Sequence, residues 1–551
     1  MKKTIRGSAL LTLTVILVAV MVTAIGGLLK WSAGGYRGAV HRTQRSQMLY
    51  AADAGLQYAL ASMKAAKQIP DQALIDTITT GFFAHASTMI QDEYQMMTYT
   101  ITSNSAYTLG IRAAVQEIAN TGNWLEINAD LNWRFKSIFD WGVFYDADLE
   151  IHAARPLTFY GGIHCNGDMY VSCFQNQDMY FDSQVTVAGD ILHNRKEGPW
   201  SSGGNVYFKD GDDVYQPMKV YGVWLDSLHP FWTESSLLRW DGNVLSKDHG
   251  VEKMDIPIPG AETNAHRIIE LPDPNDSTEV ADAKYANKAT LKIMPDGKLY
   301  GVSNIGGTYT DYYINDITNV SWITVGNTFW NGRQGYMINP IDIDIEDFND
   351  WVDNYGPDAF KSDPDNSGVF YVALSNVQGR AIRLRNAEEL PEGGLTVATL
   401  NPMYVEGNYN TVDKQPSSLF SDSFTMLSVA WNDAKNSKNN TGKARDTILN
   451  AAVVSGHVPS TPGLYSGGLE NLIRYLENWG AQTFTMSGAL ISIWFSQQEI
   501  INYDELGPAD SYYTPPYRDW GYENLFGNPG TLPPGTPGIW SFELKNWERV
   551  H

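Results

Sequence analysis

A mainly β chain led by one long N-terminal helix is the fold class that this sequence predicts. Its bulk is expected to be an interrupted parallel β-helix, a solenoid head carrying α/β insertions. Three observations lead there. Ala9 to Leu29 carry no charge, two sets of alternating apolar residues recur 22 positions apart beyond Val143, and Gly-Asp corners fall in register with them.

Lys2, Lys3 and Arg6 precede the uncharged run Ala9–Leu29, which at roughly 1.5 Å per residue is long enough to cross a hydrocarbon core of about 30 Å. A signal peptide has an apolar core of only about 7–15 residues followed by a small-residue cleavage site, and this segment is longer and has no clean site. A plain signal anchor is the simplest reading. Beyond Lys30, however, small, polar and apolar residues mix at helical spacing from Arg37 to Lys67. The helix is therefore expected to span a membrane over 8–29 and to continue as a polar extension over 30–70.

Arg6-Gly7-Ser8-Ala9-Leu10, the apolar stretch after it and the element Ala51-Ala52-Asp53-Ala54-Gly55-Leu56 carry a resemblance to a known family. Together they resemble the N-terminal module of PilX-type minor pilins of type IV pilus systems, and of the related large pseudopilin of type II secretion. The resemblance implies a leader, 1–7, cut after Gly7 by a prepilin peptidase so that Ser8 becomes the mature N-terminus. It also implies a single pass through the inner membrane before assembly, with the bulk of the chain periplasmic or extracellular. The implied partners are the membrane, other pilin-like subunits and the pilus assembly machinery. The chain departs from the family pattern at the fifth mature position, where Thr12 stands in place of the usual Glu, and no acidic residue occurs before Asp53. Within the family that loss accompanies a subunit at a filament tip.

The 551 residues are 43% hydrophobic and 12% aromatic, enough for a large core in two or more compact units. A formal charge of −23 excludes a nucleic-acid binder, because a polyanion would be repelled. Cys165 and Cys173 are too few for a disulfide framework; they either form one disulfide outside the cytosol or serve as small core residues.

Residues 71–141 are expected to form a pilin-like α/β region. Tyr94–Ser103 alternates as a strand does, and Leu109–Ala119 reads as a second strand or a helix. Coils are expected over 142–225. Leu157, Phe159, Ile163, Cys165 and Met169 are matched 22 residues later by Met179, Phe181, Val185, Val187 and Ile191. At a spacing of 20, Val143, Tyr145, Leu149 and Ile151 match Ile163, Cys165, Met169 and Val171. Three short strands per repeat are the signature of coils that stack their inward side chains; antiparallel hairpins with accidental spacing are the alternative. Asn166-Gly167-Asp168 and Ala188-Gly189-Asp190 fall at one corner of successive coils, and Glu406-Gly407-Asn408 and Ser487-Gly488-Ala489 look like similar corners downstream.

An insertion is expected over 226–367, with a hairpin around Pro295-Asp296-Gly297. Coils resume over 368–500, joined by an amphipathic helix in which Leu469, Leu472, Ile473, Leu476 and Trp479 recur at helical spacing and Glu470 pairs with Arg474. The Pro- and aromatic-rich tail, 501–551, reads as an extended strap. The coil and tail segments also resemble large exported bacterial proteins that join a PilX-type N-terminus to NGD-type coils, a resemblance that brings no activity with it.

Candidate chemistry is sparse. Asp148, Asp168 and Asp190 would sit on successive rungs about 4.8 Å apart; either each bonds its corner backbone, or the three share calcium. The acidic run Asp342, Asp344, Glu346, Asp347, Asp350 and Asp353 reads as a solvated strand face. Asp363 to Gly368 imitates half of a calcium loop, but Leu374 stands at the twelfth position where an acid is needed. His152, His164 and His193 have no metal spacing, and His164 is expected to face solvent. Two function classes follow. The first is a minor pilin-like or pseudopilin-like structural or adhesive subunit, with a surface glycan among its partners. The second is an envelope-anchored β-helix lyase or hydrolase acting on polysaccharide, which rests on fold analogy alone.

Overall fold

The computed structural model describes residues 5–66, 70–90, 92–105, 107–197, 203–256, 258, 264–305, 308–357, 360, 368–436, 441–503, 505 and 512–550. These are mainly β, with a long N-terminal helix and several sheets. They divide into two compact units, one made of Met1–Phe135 with Trp540–His551 and the other of Lys136–Ile539.

The first unit is built on helix α1 (Ile5–Ala66). Among the described residues this is the one helix long and apolar enough to cross a membrane, and its apolar window is unburied. Leu17, Val18, Val20, Val22, Ile25, Leu28 and Leu29 are all more than half exposed. Further along, Met48, Ala52, Leu56, Ala59 and Met63 are fully buried at the spacing of a single helix face. That face lies on an antiparallel sheet of β1 (Tyr94–Ser105), β2 (Thr108–Glu117), β3 (Trp124–Ser137) and the C-terminal strand Gly538–Arg549. Of the two readings for Leu109–Ala119, the strand holds. A second helix, α2 (Gln72–Met89), starts at Asp71, whose side chain accepts the Leu74 N–H at 2.7 Å.

The second unit is dominated by parallel pairing. Strands β4 (Val143–Tyr145), β5 (Leu149–Ala153), β6 (Leu157–Phe159), β7 (Ile163–Cys165), β8 (Met169–Cys173), β9 (Asp178–Phe181), β10 (Val185–Val187), β11 (Ile191–His193) and β12 (Asn205–Lys209) fall into three sheets. β4, β7 and β10 pair in one, β5, β8 and β11 in the second, β6, β9 and β12 in the third, all parallel. Each pair expected from the 22- and 20-residue spacings is an observed partner pair: Leu157 with Met179, Ile163 with Val185, Met169 with Ile191, Val143 with Ile163 and Leu149 with Met169. Alternate side chains point into a continuous core that includes Phe159 stacked on Phe181 and Phe181 on Phe208, with centroids 5.2 and 4.7 Å apart.

The downstream strands extend the first of these sheets. Leu291–Ile293, Val369–Val372, Leu395–Thr399, Ser417–Ser421, Thr447–Ser455 and Thr483–Ser492 pair in parallel succession, and the last of them pairs with β4. In the row of strands the later ones in sequence therefore come first and the earlier ones follow, and the segment 226–367 carries the chain from one end of the row to the other. Parts of that segment belong to the sheets: Val244–Leu245 pairs with β10 and Tyr336–Asp344 with Arg380–Arg385. The hairpin at Asp296-Gly297 forms between Leu291–Ile293 and Lys298–Ile305.

Several expectations are corrected. No amphipathic helix forms at 469–479. Leu469–Asn471 makes one 3-10 turn and Ile473–Tyr475 a strand paired with Phe424–Leu427. Every residue from Leu469 to Leu476 is buried, Glu470 and Arg474 included, so the segment has no solvent face for a helical stripe to oppose. Arg474 bonds Glu499 instead of Glu470. Gly488 lies inside the strand Thr483–Ser492 rather than at a corner, where an added Cβ would stand 1.9 Å from the Ala451 carbonyl oxygen. The tail is not a single strap: Tyr517–Tyr522 pairs parallel with Thr483–Ser492, and Gly538–Arg549 joins the first unit's sheet.

Candidate functional site

The motif Ala51–Leu56 has a local structural reason. Ala51, Ala52 and Leu56 are buried, and Gly55 passes so close beneath Tyr99 that an added Cβ would lie 3.1 Å from its ring. The Tyr99 hydroxyl donates to the Gly55 carbonyl at 3.0 Å. Small residues thus let α1 seat directly on β1 and β2. Asp53 and Ala54, partly buried, flank that face. Gly7 and Ser8 lie within the span of α1.

The three aspartates come together in a ladder. Asp148 Oδ1 accepts the Asp168 N–H at 2.9 Å, and Asp168 Oδ1 accepts the Asp190 N–H at 2.8 Å. Lys196 bonds Asp148 Oδ2 at 2.8 Å and Lys247 bonds Asp190 Oδ2 at 2.7 Å. Asp148 and Asp168 thus each bond the backbone of the next aspartate in the ladder, Asp190 ends it on Lys247, and the two lysines offset the charge repulsion. The glycines at these corners make room: a Cβ on Gly167 would fall 2.4 Å from Asp148 Oδ1, and one on Gly189 2.3 Å from Asp168 Oδ1. Among the described residues no group of three or more His, Cys, Asp or Glu side chains is arranged to hold a metal ion.

Cys165 and Cys173 are free and buried. Their thiols donate to the carbonyls of Ala147 and Asn205, both at 3.2 Å, and burial pushes Cys165 up to about 12. His164 does not face solvent. It is fully buried, lies between Trp141 and Phe144, and bonds Thr186 at 2.8 Å and Asn166 at 3.0 Å; both faces of its strand are covered. His193 is stacked on Trp224, and His152 bonds Ser172 at 2.7 Å.

The acidic run is not one strand face. Asp342 is buried in a two-pronged pair with Arg383, at 2.7 Å for each prong, while Asp344 caps the helix Ile345–Tyr355 that carries the remaining acids. Arg383 also bonds Asp433 at 2.6 Å and Glu406 at 3.0 Å. The half calcium loop, Asp363–Ser367, lies outside the described residues. A second network was not foreseen: Glu499, fully buried, accepts from Tyr404, Ser423, Arg474 and Asn331. Its members are spread from 331 to 499, so no local pattern marks them.

A cleft of about 330 Å³ lies in the second unit. Three adjacent parallel strands, β4, Thr447–Ser455 and Thr483–Ser492, end there, and residues just past their ends line it: Asp146, His457 and Ile493–Gln497. Asn264–His266 closes another side. His457 bonds Ser492 Oγ at 2.6 Å and packs between Tyr145 and Phe495; burial, with Arg474 next, drives it down to about 4, so it is neutral at pH 7. His266 faces the opposite balance. Burial disfavours its cation, but Asp422 and Glu270 outweigh that and raise its pKa. No sequence signal marks this cleft, because its parts lie between 146 and 497 and carry no shared motif.

No family model matches the sequence, and no curated protein matches it. Among solved structures the chain is similar to the competence-associated pilin ComZ from Thermus thermophilus, at 11% identity and a TM-score of 0.32, with 92% of this chain and 97% of that one covered. A likeness of that size establishes neither fold nor activity.

Proposed function

We propose that the chain is a pilin-like structural subunit, a minor pilin or large pseudopilin of a type IV pilus or type II secretion-type filament, whose second unit is an interrupted parallel β-helix serving as a large head. One observation carries this reading: α1 is divided in two, with an apolar half that nothing covers and a small-residue half seated on an antiparallel sheet. The bare half suits a bilayer before assembly and neighbouring helices afterwards. Runs of parallel rungs with inward ladders and Gly-Asp corners support the β-helix. Thr12, uncharged where the family has Glu, supports a tip position.

The test is N-terminal sequencing of the protein purified from cells that contain a prepilin peptidase. A chain beginning at Ser8 is expected, and Gly7→Val should leave the leader attached. A mature chain that begins at Met1 or beyond residue 25 would refute the reading.

A further inference from the structure

We propose that the cleft at the ends of β4, Thr447–Ser455 and Thr483–Ser492 binds a neutral saccharide. The inference stands apart from the pilin reading, since it uses only residues of the second unit.

The site is built in advance. Its floor, Ile493–Gln497, is pinned from below by Asp422, fully buried, whose carboxylate accepts the Gln497 and Gln498 backbone N–H groups at 2.5 and 3.0 Å. Fixing a loop beforehand removes an ordering cost from binding. Asp146 is held at the rim by the Asn166 amide at 2.8 Å, and Asn166 itself bonds the Met254 backbone through both its oxygen and its nitrogen. Phe495 stands 49% exposed beside the cleft, with the His457 ring edge-on to it at 4.9 Å. His266 in the wall is held by two carboxylates, Glu270 on Nδ1 at 2.7 Å and the buried Asp422 near Nε2 at 3.5 Å.

The lining selects the ligand class. Among the described residues no lysine or arginine lines the cleft, the one lining group with a favoured cation, His266, is already paired with Glu270 and Asp422, and Asp146 adds a carboxylate at the rim, so phosphates, uronates and other anions are disfavoured. An exposed aromatic face beside amide, hydroxyl and carboxylate groups complements a pyranose, which has an apolar C–H face and a rim of hydroxyls. The volume is near the lower end of the ~300–1,000 Å³ range of ligand pockets, room for a short saccharide rather than a long chain in depth.

The full chain, kept in a detergent without a sugar headgroup, should be titrated by calorimetry and saturation-transfer NMR. The probes are cellobiose, maltose, lactose and diacetylchitobiose, with glucuronate and glucosamine as charged controls. At least one neutral disaccharide is expected to bind at millimolar concentration or below. Phe495→Ala should weaken it about tenfold or more, and Asp146→Asn should weaken it independently. Phe495 is half exposed and Asp146 lies at the rim, so neither change should disturb folding, which circular dichroism checks. The proposal is overturned by any of three results: no neutral probe binds up to about 10 mM, both variants bind as tightly as the parent, or glucosamine binds more tightly than every neutral sugar.

Discussion

Replacing Glu470 by glutamine should remove one loss of stability that accompanies rising pH. Glu470 is 3% exposed, neither of its carboxyl oxygens has a hydrogen-bond partner, and burial lifts it from 4.5 to about 7, with Arg518 opposing the rise only in part. A carboxyl raised on folding contributes stability that is full below its unfolded value and is lost as pH climbs through the folded one. The window therefore opens near 4.5 and closes just above 7. At about 1.36 kcal/mol per pH unit, a gap of about 2.5 units makes the ceiling roughly 3 kcal/mol. Glu477, also lifted to about 7 by burial despite two bonds from Ser428, adds a similar loss in the same window. Denaturant unfolding at pH 5 and pH 8 should show the change in stability with rising pH to be about 2–3 kcal/mol less favourable in the parent than in Glu470→Gln. His152, His193 and His457, held down to about 4 by burial, gain stability as pH rises, but they do so in both proteins and cancel in the comparison, as does the amide's own burial cost. An equal change in parent and variant would refute the reasoning.

Gly189→Ala should destabilise by about 1–3 kcal/mol, because its Cβ would meet Asp168 Oδ1 at 2.3 Å and the Gly167 carbonyl oxygen at 2.6 Å. Gly521→Ala, with nothing nearer than 3.5 Å, is the control in the same unfolding assay and should be near neutral. Arg383→Met should cost about 3–5 kcal/mol, since it strands the buried carboxylate of Asp342; a loss under about 1 kcal/mol would count against that pairing. Because the aspartate ladder already accepts backbone N–H groups and lysines, millimolar calcium should leave the melting temperature unchanged. A rise that disappears in Asp168→Asn, Asp190→Asn would restore the shared ion.

The register of the parallel strands was legible in the sequence because its physical cause is local. A residue such as Phe159 must be apolar to face inward, and the partner stacked on it, Phe181, obeys the same constraint one rung later. The stretch 469–479 misled for the same reason: when both faces of a strand are covered, its apolar residues lose the period of two, and a helical spacing appears by accident. His164 was misjudged because periodicity locates the inside of a coil but is silent on what else covers the outside. The cleft and the Glu499 network were invisible, since Asp146, His457 and Gln497 are brought together by strand ends far apart in the chain, and nothing in one segment reports the others.

The order of the row has a consequence for how the protein is made. β4 pairs on one side with β7, close behind it, but on the other with Leu490–Ser492. A chain emerging from its N-terminus can stack β4, β7 and β10 at once, yet one flank of β4 stays an open strand edge until nearly the whole polypeptide has arrived. Such an edge is a template for foreign pairing, and closing a loop of that length is slow. Translation products that stop short of Thr483 would carry the edge permanently and should aggregate. Until its own distant strand arrives, the full chain needs that flank shielded.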